Sequence, residues 1–133
     1  MSKEMIERVE ENRNWVKGYF KSEYKYKTIE GKLYLLQGII DQKFIKKDET
    51  DKLQSLGVVF GDALAEGLSL HWVEIEDEYG IDPALRYLET NILLFPLTIL
   101  SKRIEKGEEI NIKELFDGIC DMVSDMANKE SVK

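Results

Sequence analysis

"HWVEIEDEYGIDPALRY", residues 71–87, decides the fold. It opens with the only histidine of the chain, His71, and carries Glu74, Glu76, Asp77, Glu78 and Asp82. Such a run reads either as a metal or acid/base site or as a strand, a turn and a second strand. Alternation favours the strands. Val73 and Ile75 fall on one side of an extended chain, and Trp72, Glu74 and Glu76 on the other, which is the period of a half-buried strand. Residues 84–88 supply its partner. Pairing Asp77 with Pro83 leaves "EYGID" as a five-residue loop in which Gly80 can take positive φ. Ile75 then faces Leu85 and Val73 faces Tyr87 on the core side. Glu74 faces Arg86 and Trp72 faces Leu88 on the outer side. Trp72, Glu74, Glu76 and Arg86, with Tyr79 at the tip, form the candidate interaction face.

Upstream, Met5, Ile6, Val9, Val16 and Phe20 recur at helical spacing, so residues 3–22 read as an amphipathic helix after Ser2. Thr28 caps a second helix bearing Leu33, Leu36 and Ile40. A third helix starts at Asp48 or Thr50, carries Leu53, Leu56, Val59, Phe60, Ala63 and Leu64, and ends at Gly67. Gly57, Gly61 and Ala65 are spaced by four on this helix. Each glycine costs about 1 kcal/mol there relative to alanine, which points to another backbone or ring packed against the stripe.

Downstream, a short strand is expected at 92–95. Pro96 suits the first turn of a fourth helix with Leu97, Leu100 and Ile104 inward, stopped by Gly107. Asn111 and Glu114 form an N-x-x-E cap for a last helix with Leu115, Ile119, Met122, Val123 and Met126 on its inner face. The tail "ANKESVK" should fray. Segregated strands and helices make this an α+β fold: N-terminal helices, a small three-stranded antiparallel sheet and two C-terminal helices.

The 133 residues suit a single domain over 1–133, of which 1–47 is an N-terminal helical pair. One cysteine, Cys120, excludes an internal disulfide and fits a reducing cytoplasm. No signal-peptide pattern opens the chain, and the longest apolar run, "ILLFPLTIL" at 92–100, is too short to span a bilayer. The net charge of −7 argues against nucleic acid. Residues 13–47 carry a net of +6 and residues 48–133 a net of −11. The simplest reading is a basic segment docked on an acidic body; the alternative is a patch that steers a partner of opposite sign.

The chemistry tests are mostly negative. With Gly80 at the glycine of a calcium loop, Ile75 would take the first ligand position and Arg86 the last. Zinc needs several His or Cys ligands, and the chain has one of each. Cys120 reads as a small buried hydrophobe on the last helix, so no catalytic residue, no metal and no cofactor is assigned. Glu74 and Glu76 lie about 6.5–7 Å apart on one strand face, a spacing that keeps a carboxylate pair in view.

Two longer segments carry a family resemblance: "LGVVFGDALAEGLSLHWVEIEDEYGIDPALRY" and "LLFPLTILSKRIEKGEEINIKELFDGI". With L-G-x-x-F-G on a helix, a Trp-Val strand, D-x-x-G at a turn, a proline before a helix and a later E-x-G-E, the chain resembles the bacterial domain of unknown function 3806 family. The resemblance covers about residues 53–119. It implies an α+β fold and no activity.

The leading expectation is a non-catalytic, cytoplasmic module that binds a protein or peptide, with a basic partner fitting its acidity and room left for a homo-oligomer. One alternative is an enzyme with a carboxylate site around the 71–86 hairpin, assisted by a divalent cation. Another is an immunity protein that caps a basic toxin.

Overall fold

The computed structural model describes residues 1–19, 26–43 and 45–131. In chain order these form α1 (Lys3–Tyr19), α2 (Ile29–Gln42), α3 (Thr50–Leu68), β1 (Leu70–Asp77), β2 (Gly80–Tyr87), β3 (Leu93–Leu94), α4 (Pro96–Glu105) and α5 (Ile112–Ser131). The fold is α+β, with a three-stranded antiparallel sheet in the order β1-β2-β3. The expected extension of α1 to residue 22, with Phe20 on its apolar face, lies outside the described residues.

α3 is the axis of the molecule. It touches the other four helices and the first two strands, and its residues from Ser55 to Gly61 are all buried. The glycine stripe is what lets it sit so deep. A Cβ added to Gly57 would lie 2.5 Å from the Leu97 Cα and 2.8 Å from the Pro96 carbonyl oxygen. One added to Gly61 would lie 2.6 Å from the Trp72 ring and 2.9 Å from Pro96 Cγ. The packing expected of these glycines is therefore present, against the backbone of α4 at one position and a ring at the other. α3 does not stop at Gly67. That residue stays helical beneath Phe116, whose ring tip would be 3.2 Å from an added Cβ, and the helix closes at Ser69 in the left-handed region (φ 58°).

Local signals account for most other boundaries. The Thr28 hydroxyl accepts from the Gly31 N–H at 2.9 Å and caps α2. Pro96 occupies the first turn of α4, where no N–H is needed. Asn111 Oδ1 accepts from the Glu114 N–H at 3.0 Å and starts α5. Two expectations about α5 are corrected. It runs to Ser131 instead of fraying from Ala127. Its inner line is Ile112, Phe116, Ile119 and Val123, while Met122 and Met126 are exposed, because Phe116 sets the buried face by its edge-on contact with Phe60.

The hairpin register is also corrected. Asp77 pairs with Gly80, not Pro83, a displacement of three residues, and the loop is Glu78–Tyr79. Asp77 Oδ1 accepts from the Tyr79 N–H at 2.8 Å to close the turn, and Gly80 has φ 126°. An odd displacement swaps the two faces of the sheet. Trp72 now pairs with Leu85, and Leu85 with Leu94, on one face; Val73 pairs with Ala84 on the other, where Ala84 is itself buried. The shift turns Leu70, Leu85 and Leu94 into the main core and delivers Trp72 to the Gly61 notch.

Glycine substitutions should separate these effects. Gly57→Ala places a methyl against fixed backbone and should destabilise the fold by about 1–3 kcal/mol. Gly38→Ala, in α2 with no atom within 4 Å of the added carbon, should stabilise it by about 0.5–1 kcal/mol. Chemical denaturation of the two variants checks both signs.

Candidate functional site

The five residues singled out on the hairpin do not share one surface. Trp72 is turned inward, and its indole N–H donates to Asp62 Oδ1 at 3.0 Å. Glu74 does not meet Arg86. Its Oε1 accepts from the Ser2 N–H at 3.1 Å and from the Ser2 hydroxyl at 2.6 Å, while that hydroxyl accepts from the Met5 N–H at 3.2 Å. Glu74 thus fastens β1 to the first turn of α1, a favourable place for a carboxylate beside free amides. These hydrogen bonds hold its carboxyl below the usual carboxylate range. Glu76 is exposed and Tyr79 stands 86% exposed at the tip. Arg86 lies on the opposite face, paired with His71, and its Nε is buried without a partner among the described residues. A general acid needs a carboxyl pushed upward, so the shift at Glu74 runs against that role. Among the described residues no three His, Cys, Asp or Glu side chains converge in a way that could hold a metal.

The strongest polar constellation is one the sequence reading missed. Asp62, on the otherwise apolar centre of α3, has a side chain only 12% exposed. Arg13 of α1 grips it twice, Nε to Oδ2 at 2.6 Å and a terminal nitrogen to Oδ1 at 2.8 Å. The Tyr26 hydroxyl donates to Oδ2 and the Trp72 indole to Oδ1. Lys17 and Lys32 place their ammonium groups 4.7 and 4.9 Å from the centre of the Tyr26 ring, within cation–π range. Lys32 also reaches Glu66 at 2.9 Å. The Arg13 guanidinium is held above its usual range by Asp62, and burial, then the Asp62 charge, pushes the Tyr26 phenol well up. With both oxygens engaged by donors, Asp62 is a structural tie and not a poised base. These contacts are also the docking of basic segment on acidic body. One cue was legible: a lone carboxylate inside "LGVVFGDALA" must find partners when buried.

Cys120 sits half-buried on α5. Burial first, then the charges of Asp117 and Asp121, pushes its thiol up, away from the reactive thiolate.

An apolar concavity lies elsewhere, between α2, the start of α3 and the α4–α5 connection. It is a cleft of about 520 Å³. Ile39, Ile40, Leu53, Leu56, Ile104 and Ile110 form an apolar floor, and Lys43, Lys47, Asp41, Glu108 and Glu109 stand at the rim. Gln37 braces one wall, donating to the Ile110 carbonyl at 3.0 Å and accepting from the Ile112 N–H at 2.8 Å. No single-residue pattern marks this cleft, because its lining comes from three separated segments.

A family model described as Domain of unknown function (DUF3806) matches residues 32–116. No curated protein matches the chain. A crystal structure from Bacteroides thetaiotaomicron VPI-5482, refined at 1.50 Å, is similar in fold, with a TM-score of 0.73 at 20% identity over 92% of this chain. The chain spans 46% of the length of that protein.

Asp62→Ala should leave the Arg13 guanidinium with Glu10 as its carboxylate partner and unpair the Tyr26 hydroxyl and Trp72 indole, destabilising the fold by about 3 kcal/mol with a changed Trp72 near-ultraviolet signal. An unchanged denaturation midpoint would remove Asp62 from its structural place. The Glu74 tie predicts a pH dependence. Because its folded-state pKa lies below the unfolded value, its stabilisation is complete above the unfolded value and disappears as pH falls through the folded one. Ser2→Ala should raise the Glu74 carboxyl titration followed by NMR.

Proposed function

The chain belongs to the DUF3806 family of domains of unknown function, and from its geometry we propose that it is a non-catalytic binding module whose apolar cleft receives a hydrophobic side chain of a protein or peptide partner. The observation that carries this reading is the cleft itself: isoleucines and leucines at the floor and charges of both signs at the rim. Burial of an aliphatic or aromatic side chain contributes about 1.5–3 kcal/mol, and mixed rim charges add orientation more than affinity. The rim suits a partner that brings its own charges around a hydrophobic anchor. The carboxylates that would serve an enzyme are spread over the hairpin, and the Ser2 hydrogen bonds lower the Glu74 carboxyl, away from a general acid.

A photo-crosslinking residue placed at Lys47, with a control at Lys3 on α1, tests the proposal in the host cell. A discrete adduct from position 47 alone, lost when Ile104→Asp charges the floor, is the expected result. Equal adducts from both positions, or an adduct indifferent to Ile104→Asp, would sink it.

A further inference from the structure

We propose that the open edge of β1 is a strand-addition site for an extended, cationic segment of a partner protein. The reading is independent of the cleft, which lies on other elements. Among the described residues, β1 is the first strand in the sheet order and pairs only with β2. The direction of its unpaired groups follows from β2. The Tyr87 N–H donates to the Ile92 carbonyl at 3.1 Å, away from β1. Amides alternate in direction along a strand, so Leu85, Pro83 and Ile81 also turn away from β1. This is why Pro83 is tolerated, since its missing N–H would not have served the β1 ladder. Their partners on β1, Trp72, Glu74 and Glu76, therefore aim N–H and C=O groups at the outer edge. Among the described residues, no backbone hydrogen bond from these three to another element is formed. The result is an unused ladder of the kind that accepts an added strand.

Charge selects the occupant. Glu74 and Glu76 project from one side of this edge, and Asp77, Glu78 and Asp82 gather at its hairpin end. A second copy pairing antiparallel at this edge would bring like carboxylates together, which is destabilising. The same charges attract lysine or arginine on an incoming strand. The opposite side of β1 presents Val73 and Ile75, both partly buried. The complementary segment therefore alternates, with a cation beside each glutamate and a β-branched apolar residue beside Val73 and Ile75.

The test uses a synthetic peptide of alternating lysine and valine, titrated into the isotope-labelled full chain. Binding should slow amide exchange at Trp72, Glu74 and Glu76 and leave Val73 and Ile75 unchanged, since their amides already face β2. Glu76→Lys, at an exposed position, should weaken binding roughly threefold to tenfold, with the fold intact by denaturation. A peptide N-methylated along its central backbone keeps the charge but cannot complete the ladder in either direction, so it should lose binding. Equal binding of that peptide, unaltered exchange at the three amides, or concentration-dependent protection of them in the protein alone would each overturn the proposal.

Discussion

The closeness of α3 to its neighbours governs the structure. At Gly57 there is no room for a Cβ before the α4 backbone, and at Gly61 none before the Trp72 ring and Pro96. Two residues that weaken a helix locally thereby permit contacts that stabilise the whole. α4 can lie against α3 only because Gly57 lacks a side chain. Trp72 can enter only because Gly61 leaves a notch. The inward turn of Trp72, in turn, agrees with the register that puts Leu70, Leu85 and Leu94 into the main core and Val73 and Ile75 on the opposite face.

Asp62 extends the same constraint into electrostatics. One turn of α3 presents the notch and, beside it, a carboxylate for the indole N–H. That carboxylate also holds Arg13 and Tyr26, so α1, the approach to α2, α3 and β1 converge on a single side chain. A buried ion pair adds little over a well-packed apolar contact but is costly to break in half. Its value here is positional: the charged partners oppose other placements of α1 on α3.

This arrangement changes what the acidic hairpin means. Among the described residues its carboxylates do not converge in a group that could hold a metal. Glu74 fastens the start of α1, Asp77 closes the turn, and Glu76 is exposed. What remains available is surface: a half-covered strand edge of acidic character and, away from it, a cleft with an apolar floor. These are the two surfaces on which the proposed recognition of another chain rests. The similarity to the Bacteroides thetaiotaomicron structure bears on the fold alone.

The amino-acid sequence by itself determined the elements and much of their packing logic. Thr28, Pro96 and Asn111 mark helix starts because their physics is local, in one hydroxyl, one missing N–H and one side-chain amide. The glycine spacing on α3 announced a close neighbour for the same reason: the helical cost is paid at the residue itself. What the sequence left open was everything set at a distance. The register that the sequence pattern favoured gave plausible cross-strand pairs, but a different one forms, and the notch at Gly61 with the acceptor at Asp62, ten residues before Trp72, accompanies it. Glu74 could have met Arg86, but the other register carries them to opposite faces and leaves Glu74 beside Ser2. Gly67 looked like a stop because its role, making room for Phe116, depends on a helix nearly fifty residues later. The cleft was illegible because α2, α3 and the α4–α5 connection create it only when tertiary packing brings them together.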